Sequence, residues 1–194
     1  MGVGFYSDVS SLDVDALSPV TSECPISVGI FDGFTWIRCE GKGSFMTSPL
    51  VKGFGDERIL AGENCVVVDL AACSGMDSTF MGTLAGLANR LGARGGKLQI
   101  AEPGERNRHS LEDLGLDFLM EIEPEDAEWR GRIGELRGQL RNPREVPKPG
   151  QTQRAHHVLE AHQELSAAND ENARKFANVV TLLEAELAEK QEKR

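Results

Sequence analysis

The stretch from Val66 to Leu91 constrains this chain most. Val66, Val67 and Val68 are consecutive, β-branched and apolar, the pattern of a strand covered on both faces. Asp69-Leu70 closes the run, and Ser74-Gly75 turns the chain. Asp77 or Ser78 can then cap a helix, because either side-chain oxygen can accept from a free N–H of the first turn. Phe80, Met81, Leu84, Leu87, Ala88 and Leu91 follow at helical spacing and form one apolar face. Gly82, Gly86 and Gly92 leave room for close backbone approach, although each weakens a helix.

The flanking segments extend this unit in both directions. Ile26 to Phe31 and Thr35 to Glu40 read as two strands, and Asp32-Gly33 between them signals a hairpin. Gly41-Lys42-Gly43-Ser44 ends the second strand. Ser48 is expected to cap a helix with Pro49 at its first position, and Leu50, Phe54 and Ile59-Leu60 form its buried side. After the central helix, Gly92 to Gly96 is a helix stop, Lys97 to Ala101 a strand, Pro103 to Leu114 a helix ended by Gly115, and Leu116 to Ile122 a final strand. Strand–helix–strand repeats imply parallel strands with right-handed crossovers, so the fold class is α/β: a mixed β-sheet with helices packed on it, plus a long C-terminal helix.

Outside this unit, residues 1–24 have no clear period and read as a flexible N-terminal arm. The domain itself spans 25–123. Residues 124–141 read as an accessory helix, with Trp129, Ile133, Leu136 and Leu140 on one face, packed on the domain or on a partner. Three prolines make 142–150 a linker. Residues 151–194 are strongly helix-forming, and Leu165, Phe176 and Leu187 are spaced by eleven, as are Ala161, Asn172 and Leu183. This helix can lie on its own domain or pair with another copy as a coiled coil. The proline linker and the length favour the coil and a homo-oligomer, with Asn172 as a polar register point on its seam.

Charge and composition narrow the partners. A net charge of −10 disfavours nucleic acid and anionic lipid. A basic patch on a protein partner is the complementary surface. No apolar window is long enough to cross a membrane, and Met1 to Asp8 carries no signal-peptide pattern, so a cytoplasmic protein is expected. Cys24, Cys39, Cys65 and Cys73 form no metal-binding spacing, and Cys39 and Cys65 read as small buried hydrophobes. His156, His157 and His162 read as solvated. Gly92 to Gly96 lacks the Lys-Ser/Thr ending of a phosphate loop. No catalytic set, metal site or cofactor site can be assembled, and the chain is read as a non-enzyme.

A segment of the chain, Trp36 to Ile122, resembles the STAS domain, the fold of bacterial anti-sigma factor antagonists. The resemblance is carried by Val66-Val67-Val68-Asp69-Leu70, by Met76-Asp77-Ser78-Thr79, by Met81-Gly82-Thr83-Leu84, and by Gly95-Gly96-Lys97-Leu98 with Leu114-Gly115-Leu116-Asp117. It implies that Ser78, ahead of Thr79, is the residue phosphorylated by a partner that is both an ATP-dependent serine kinase and the anti-sigma factor. It also implies that Ser44, Asp77, Ser78, Thr79, Phe80 and Met81 meet that partner. The chain departs from the family pattern at Phe80, where Gly is usual, and at Ser44, where many antagonists carry an acidic residue. By its position alone Ser78 would be no more than a helix cap. The alternative to a phosphorylated regulator is a scaffold that docks through the STAS-like domain and assembles through the C-terminal helix.

Overall fold

The computed structural model describes residues 26–142 and 150–192. The N-terminal arm and most of the proline linker expected from the sequence lie outside the described residues. In chain order the elements are β1 (Ile26–Phe31), β2 (Phe34–Cys39), β3 (Gly41–Gly43), α1 (Ser48–Leu60), β4 (Cys65–Asp69), β5 (Cys73–Met76) and α2 (Ser78–Gly92). There follow β6 (Lys97–Ala101), α3 (Gly104–Glu112), β7 (Glu121–Ile122), α4 (Ile133–Gln139), α5 (Gln151–Ala168) and α6 (Asp170–Glu192). The main sheet has the order β1-β2-β4-β6-β7. The hairpin β1–β2 is antiparallel and every other pairing in this sheet is parallel. Gly33, at φ +84°, makes the hairpin turn, a conformation that costs glycine little.

The three valines of β4 sit at the middle of the sheet and divide its two faces. Val66 and Val68 join the main core with Ile37, Leu98, Ile100 and the inner sides of α1, α2 and α3. Val67 faces the other way, into a smaller core with Phe34, Trp36, Ala101, Trp129 and Leu136. The accessory segment therefore packs back on its own domain. Its helix is confined to Ile133–Gln139, and Trp129 is delivered by the turns before it. Beyond α4 the chain exchanges two backbone hydrogen bonds between Val28 and Arg141, of 2.7 and 2.9 Å, along the outer edge of β1. That cover protects an edge strand from unwanted pairing.

Several local expectations are corrected. Gly41–Gly43 does not end β2 but forms β3, which pairs in parallel with β5 as a separate two-stranded sheet. Leu116–Phe118 is a single 3-10 turn, and the last strand is only Glu121–Ile122. Thr47 rather than Ser48 precedes α1, which shifts Ser48 and Pro49 one position into the helix. Leu60 is 82% exposed; Ile59 is buried as expected, Leu50 and Phe54 pack half-buried against the core, and Val51 is the buried residue the spacing missed. The C-terminal region is two helices. Asn169, in extended conformation, breaks it, and its side chain accepts from the Asn172 N–H to start α6.

Asp69 at the end of β4 is the most heavily bonded side chain of the domain. Its carboxylate, wholly buried, accepts from Arg137 at 2.8 and 2.9 Å, Arg38 at 2.9 Å, the Trp36 indole at 3.3 Å and the Ala71 N–H at 3.1 Å. Burial alone would raise this carboxyl. The bonds from Arg137, Ala71 and Arg38, and the charge of Arg137, outweigh it and hold the group below the usual carboxylate range. A lowered folded value means that this stabilisation is present above about pH 4 and is lost as pH falls through the folded value. Asp69→Asn is therefore expected to cost about 3 kcal/mol, because it removes the one buried carboxylate that two guanidinium groups share and leaves them only the exposed Glu40 and Glu102. Urea denaturation at neutral pH measures the loss, and the variant's stability should fall less steeply than that of the wild type below about pH 4.

Candidate functional site

The site is built where β5 runs into α2. Asp77 adopts an extended backbone, and its two carboxylate oxygens do separate work. Oδ1 accepts from the Phe80 N–H at 2.8 Å and caps α2; Oδ2 accepts from the Phe45 N–H at 2.8 Å and ties the β3–α1 loop to the helix start. Of the two candidate caps, Asp77 is the one used. Ser78 is left at the first helical position, half-buried, with a hydroxyl that the cap does not need.

The Ser78 hydroxyl points at a residue 84 positions away. Its Oγ lies 3.0 Å from His162 Nε2 on α5. His162 Nδ1 lies 2.8 Å from the Val158 carbonyl, which can only accept, so in the neutral ring Nε2 is the acceptor and Ser78 donates. A second pair stands beside it: Ser48 Oγ is 2.7 Å from His157 Nε2, with Thr83 Oγ1 at 3.4 Å. His162 is 6% exposed and rests edge-on against Phe176, and His157 is half-buried, so neither is solvated as the sequence suggests. His156 is exposed. The spacing of 157 and 162 carried no signal of this, because the partners lie on α1 and α2.

These serine–imidazole pairs sit in a helix–helix contact, not in a cleft. The gap between α1, α2 and α5, lined by Lys52, Thr83, Arg90, His157 and Glu160, is about 10 Å³, the size of one water. The orienting group of His162 is a backbone carbonyl and not a carboxylate. Among the described residues no group of three or more potential metal ligands gathers.

The remaining site residues divide sharply. Ser44 is half-exposed and builds the turn into α1, where its carbonyl accepts from the Thr47 and Ser48 N–H groups. Thr79, Phe80 and Met81 are buried, so their side chains offer little surface to a partner. The Phe80 ring fills the space next to Gly43, where an added Cβ would lie 2.9 Å from ring carbons. Phe80 and Gly43 thus require each other. Phe45 and Met46, which the sequence did not single out, are 44% and 39% exposed beside the α2 N-terminus.

Two expectations follow. Asp77→Ala removes the cap and the acceptor for Phe45, and should cost about 2 kcal/mol, whereas Ser78→Ala loses one hydrogen bond, about 1 kcal/mol. Thermal or urea denaturation of both variants should show that order. Burial pushes the His157 imidazole below its ordinary value, against the pull of the Glu160 carboxylate. As pH falls, the unfolded chain therefore takes up this proton first. The stabilisation is complete above about pH 6.5 and is lost as pH drops through the folded value. Between about pH 7.5 and 5.5 the urea midpoint of His157→Gln should fall less than that of the wild type.

Comparison with known proteins places the chain. Structural likeness is found to an anti-sigma factor antagonist from Mycobacterium paratuberculosis, at 23% identity and TM-score 0.49, over 62% of this chain and 99% of that one. The Thermotoga maritima protein TM1081 is similar at 20% identity and TM-score 0.49, over 58% and 94%. The unphosphorylated form of the anti-sigma factor antagonist SpoIIAA is similar at 19% identity and TM-score 0.46, over 58% and 98%. None of the curated proteins matches the sequence. Among the described residues no helix is long and apolar enough to cross a membrane. The family model of the STAS domain matches residues 26–128, more than half of the chain, and the chain belongs to the STAS domain family.

Proposed function

We propose that this chain is a regulatory protein-binding module of the anti-sigma factor antagonist type, switched by phosphorylation of Ser78. The partner is a serine kinase of the ATP-binding type that is itself the anti-sigma factor, and no chemistry is performed by the module. One observation carries the reading: Asp77 caps α2, so the hydroxyl of Ser78 is spare at a helix start. A phosphoryl group on it would meet unpaired N–H groups and the positive end of the helix, and would not unravel the first turn. It would also put about two negative charges on the surface that the partner has to cover. Phe45 and Met46 supply exposed apolar contact beside that point. The complementary partner surface is basic, in keeping with the chain's net charge of −10.

The second reading, a scaffold that is never phosphorylated, is favoured by the engagement of the Ser78 hydroxyl with His162 within the chain. Incubating the full chain with candidate host kinases and ATP, then mapping the phosphate, separates the two. The switch predicts phosphate on Ser78, with Ser78→Ala still binding the kinase but resisting release. Phosphate on Thr79 alone, or a stable complex with no phosphate on either residue, supports the scaffold.

A further inference from the structure

The surface that α2 turns toward α5 differs from the one it turns toward the sheet. Phe80, Leu84, Leu87 and Leu91 are wholly or almost wholly buried in the main core. Toward α5 stand Ser78, Gly82, Thr83, Gly86 and Asn89, all small or polar. Ser78 pairs with His162, and the Asn89 amide donates to Glu164 at 2.7 Å. At Gly82 the backbones meet: a Cβ there would lie 2.1 Å from the Ala161 carbonyl oxygen. From the hairpin α5–α6, Leu165 and Phe176 are the buried side chains that join the main core. Polar pairs exchange with water at small net cost, so a contact of this kind can part without dismantling the sheet.

We propose that α5–α6 is a releasable cover on α2: it closes the Ser78 face in the resting chain, and a negative charge on the Ser78 side chain holds it open. This deepens the reading of Ser78 as the switch and rests on it. Transfer of the γ-phosphoryl group of ATP to Ser78 Oγ breaks its bond to the leaving ADP and releases the hydroxyl proton. The hydroxyl that donates to His162 is then replaced by a phosphoryl group, and the contact has to part to make space for it. A gap of 3.0 Å between Oγ and Nε2 has no room for a phosphoryl group. An enzyme or partner that approaches Ser78 from the α5 side has to wait for the same opening.

The test uses the full chain and no kinase. Gly82→Ala places a methyl group where the Ala161 carbonyl lies, yet improves the intrinsic helix propensity of α2. In hydrogen exchange, peptides from 151–192 should then exchange about tenfold faster or more, while β4 and β6 stay protected. Ser78→Asp, which puts a carboxylate in place of the donor hydroxyl, should act in the same direction. Access is read with Ser78→Cys and a polyethylene-glycol maleimide, mapped by peptide and corrected for labelling of the unsubstituted chain. Adding Gly82→Ala should speed labelling at position 78 by about tenfold or more, the thiol at a helix start being reactive in both chains. Unchanged exchange of 151–192 in either variant overturns the proposal. So does a loss of protection in β4 alongside the hairpin, which would make α5–α6 part of the indivisible core, and so do equal labelling rates. A failure here sinks the cover alone; phosphate absent from Ser78 with these results intact sinks the switch alone.

Discussion

Helix α2 is buried from two sides, and most of the structure answers to that constraint. The sheet takes its leucines and Phe80, and α5 takes its glycines and hydroxyls. Apart from Asn89, Arg90 and Gly92 in its last turn, a helix in this position has little solvated surface on which to place ordinary polar residues, which accounts for its low charge. Gly82 and Gly86, costly in a free helix, are repaid by the approach of Ala161 and Glu164. Packing holds this helix more than propensity does, as is usual for a segment with several glycines.

The opposite face of the sheet is closed by different means. Val67, Trp36 and Trp129 form a small apolar layer, with the two indoles edge to face at 5.7 Å. Arg137 of α4 reaches across to Asp69 and Glu102, so a helix of 7 residues is fastened by charge as well as by Leu136. A buried carboxylate that ties two arginines contributes less to net stability than its bond count suggests, since both charges had to leave water. What it contributes more surely is position: a shifted α4 would strand a buried charge.

How much of this was legible in the sequence depends on the range of the interaction. The valine run, the Asp32-Gly33 turn and the α2 periodicity are local signals, and the sheet centre, the hairpin and the crossovers follow from them. The pair β3–β5 was not legible, because three- and four-residue strands rich in glycine carry no period. The eleven-residue spacing correctly marks burial of Leu165, Phe176 and Leu187, but periodicity cannot name what does the burying. Asn172 shows the ambiguity well. Expected on a seam between copies, it donates to the Leu114 carbonyl at 2.8 Å and anchors α6 to its own domain. Nor could spacing bring His162 to Ser78 or His157 to Ser48, because those contacts exist only once α5 has docked.

The division of labour between Asp77 and Ser78 bears most directly on function. If one residue both capped α2 and carried a switch, each modification would trade regulation against helix stability. Here the carboxylate caps the helix and ties down the neighbouring loop, while the hydroxyl is free to serve a second partner. In the resting chain that partner is an imidazole from its own C-terminal hairpin. A hydroxyl that hydrogen-bonds to a ring on another helix is sensitive to any group added to its oxygen, and the cap of the helix beneath it is not. On the proposal of a releasable cover, the same few atoms change what lies on α2 without changing its cap.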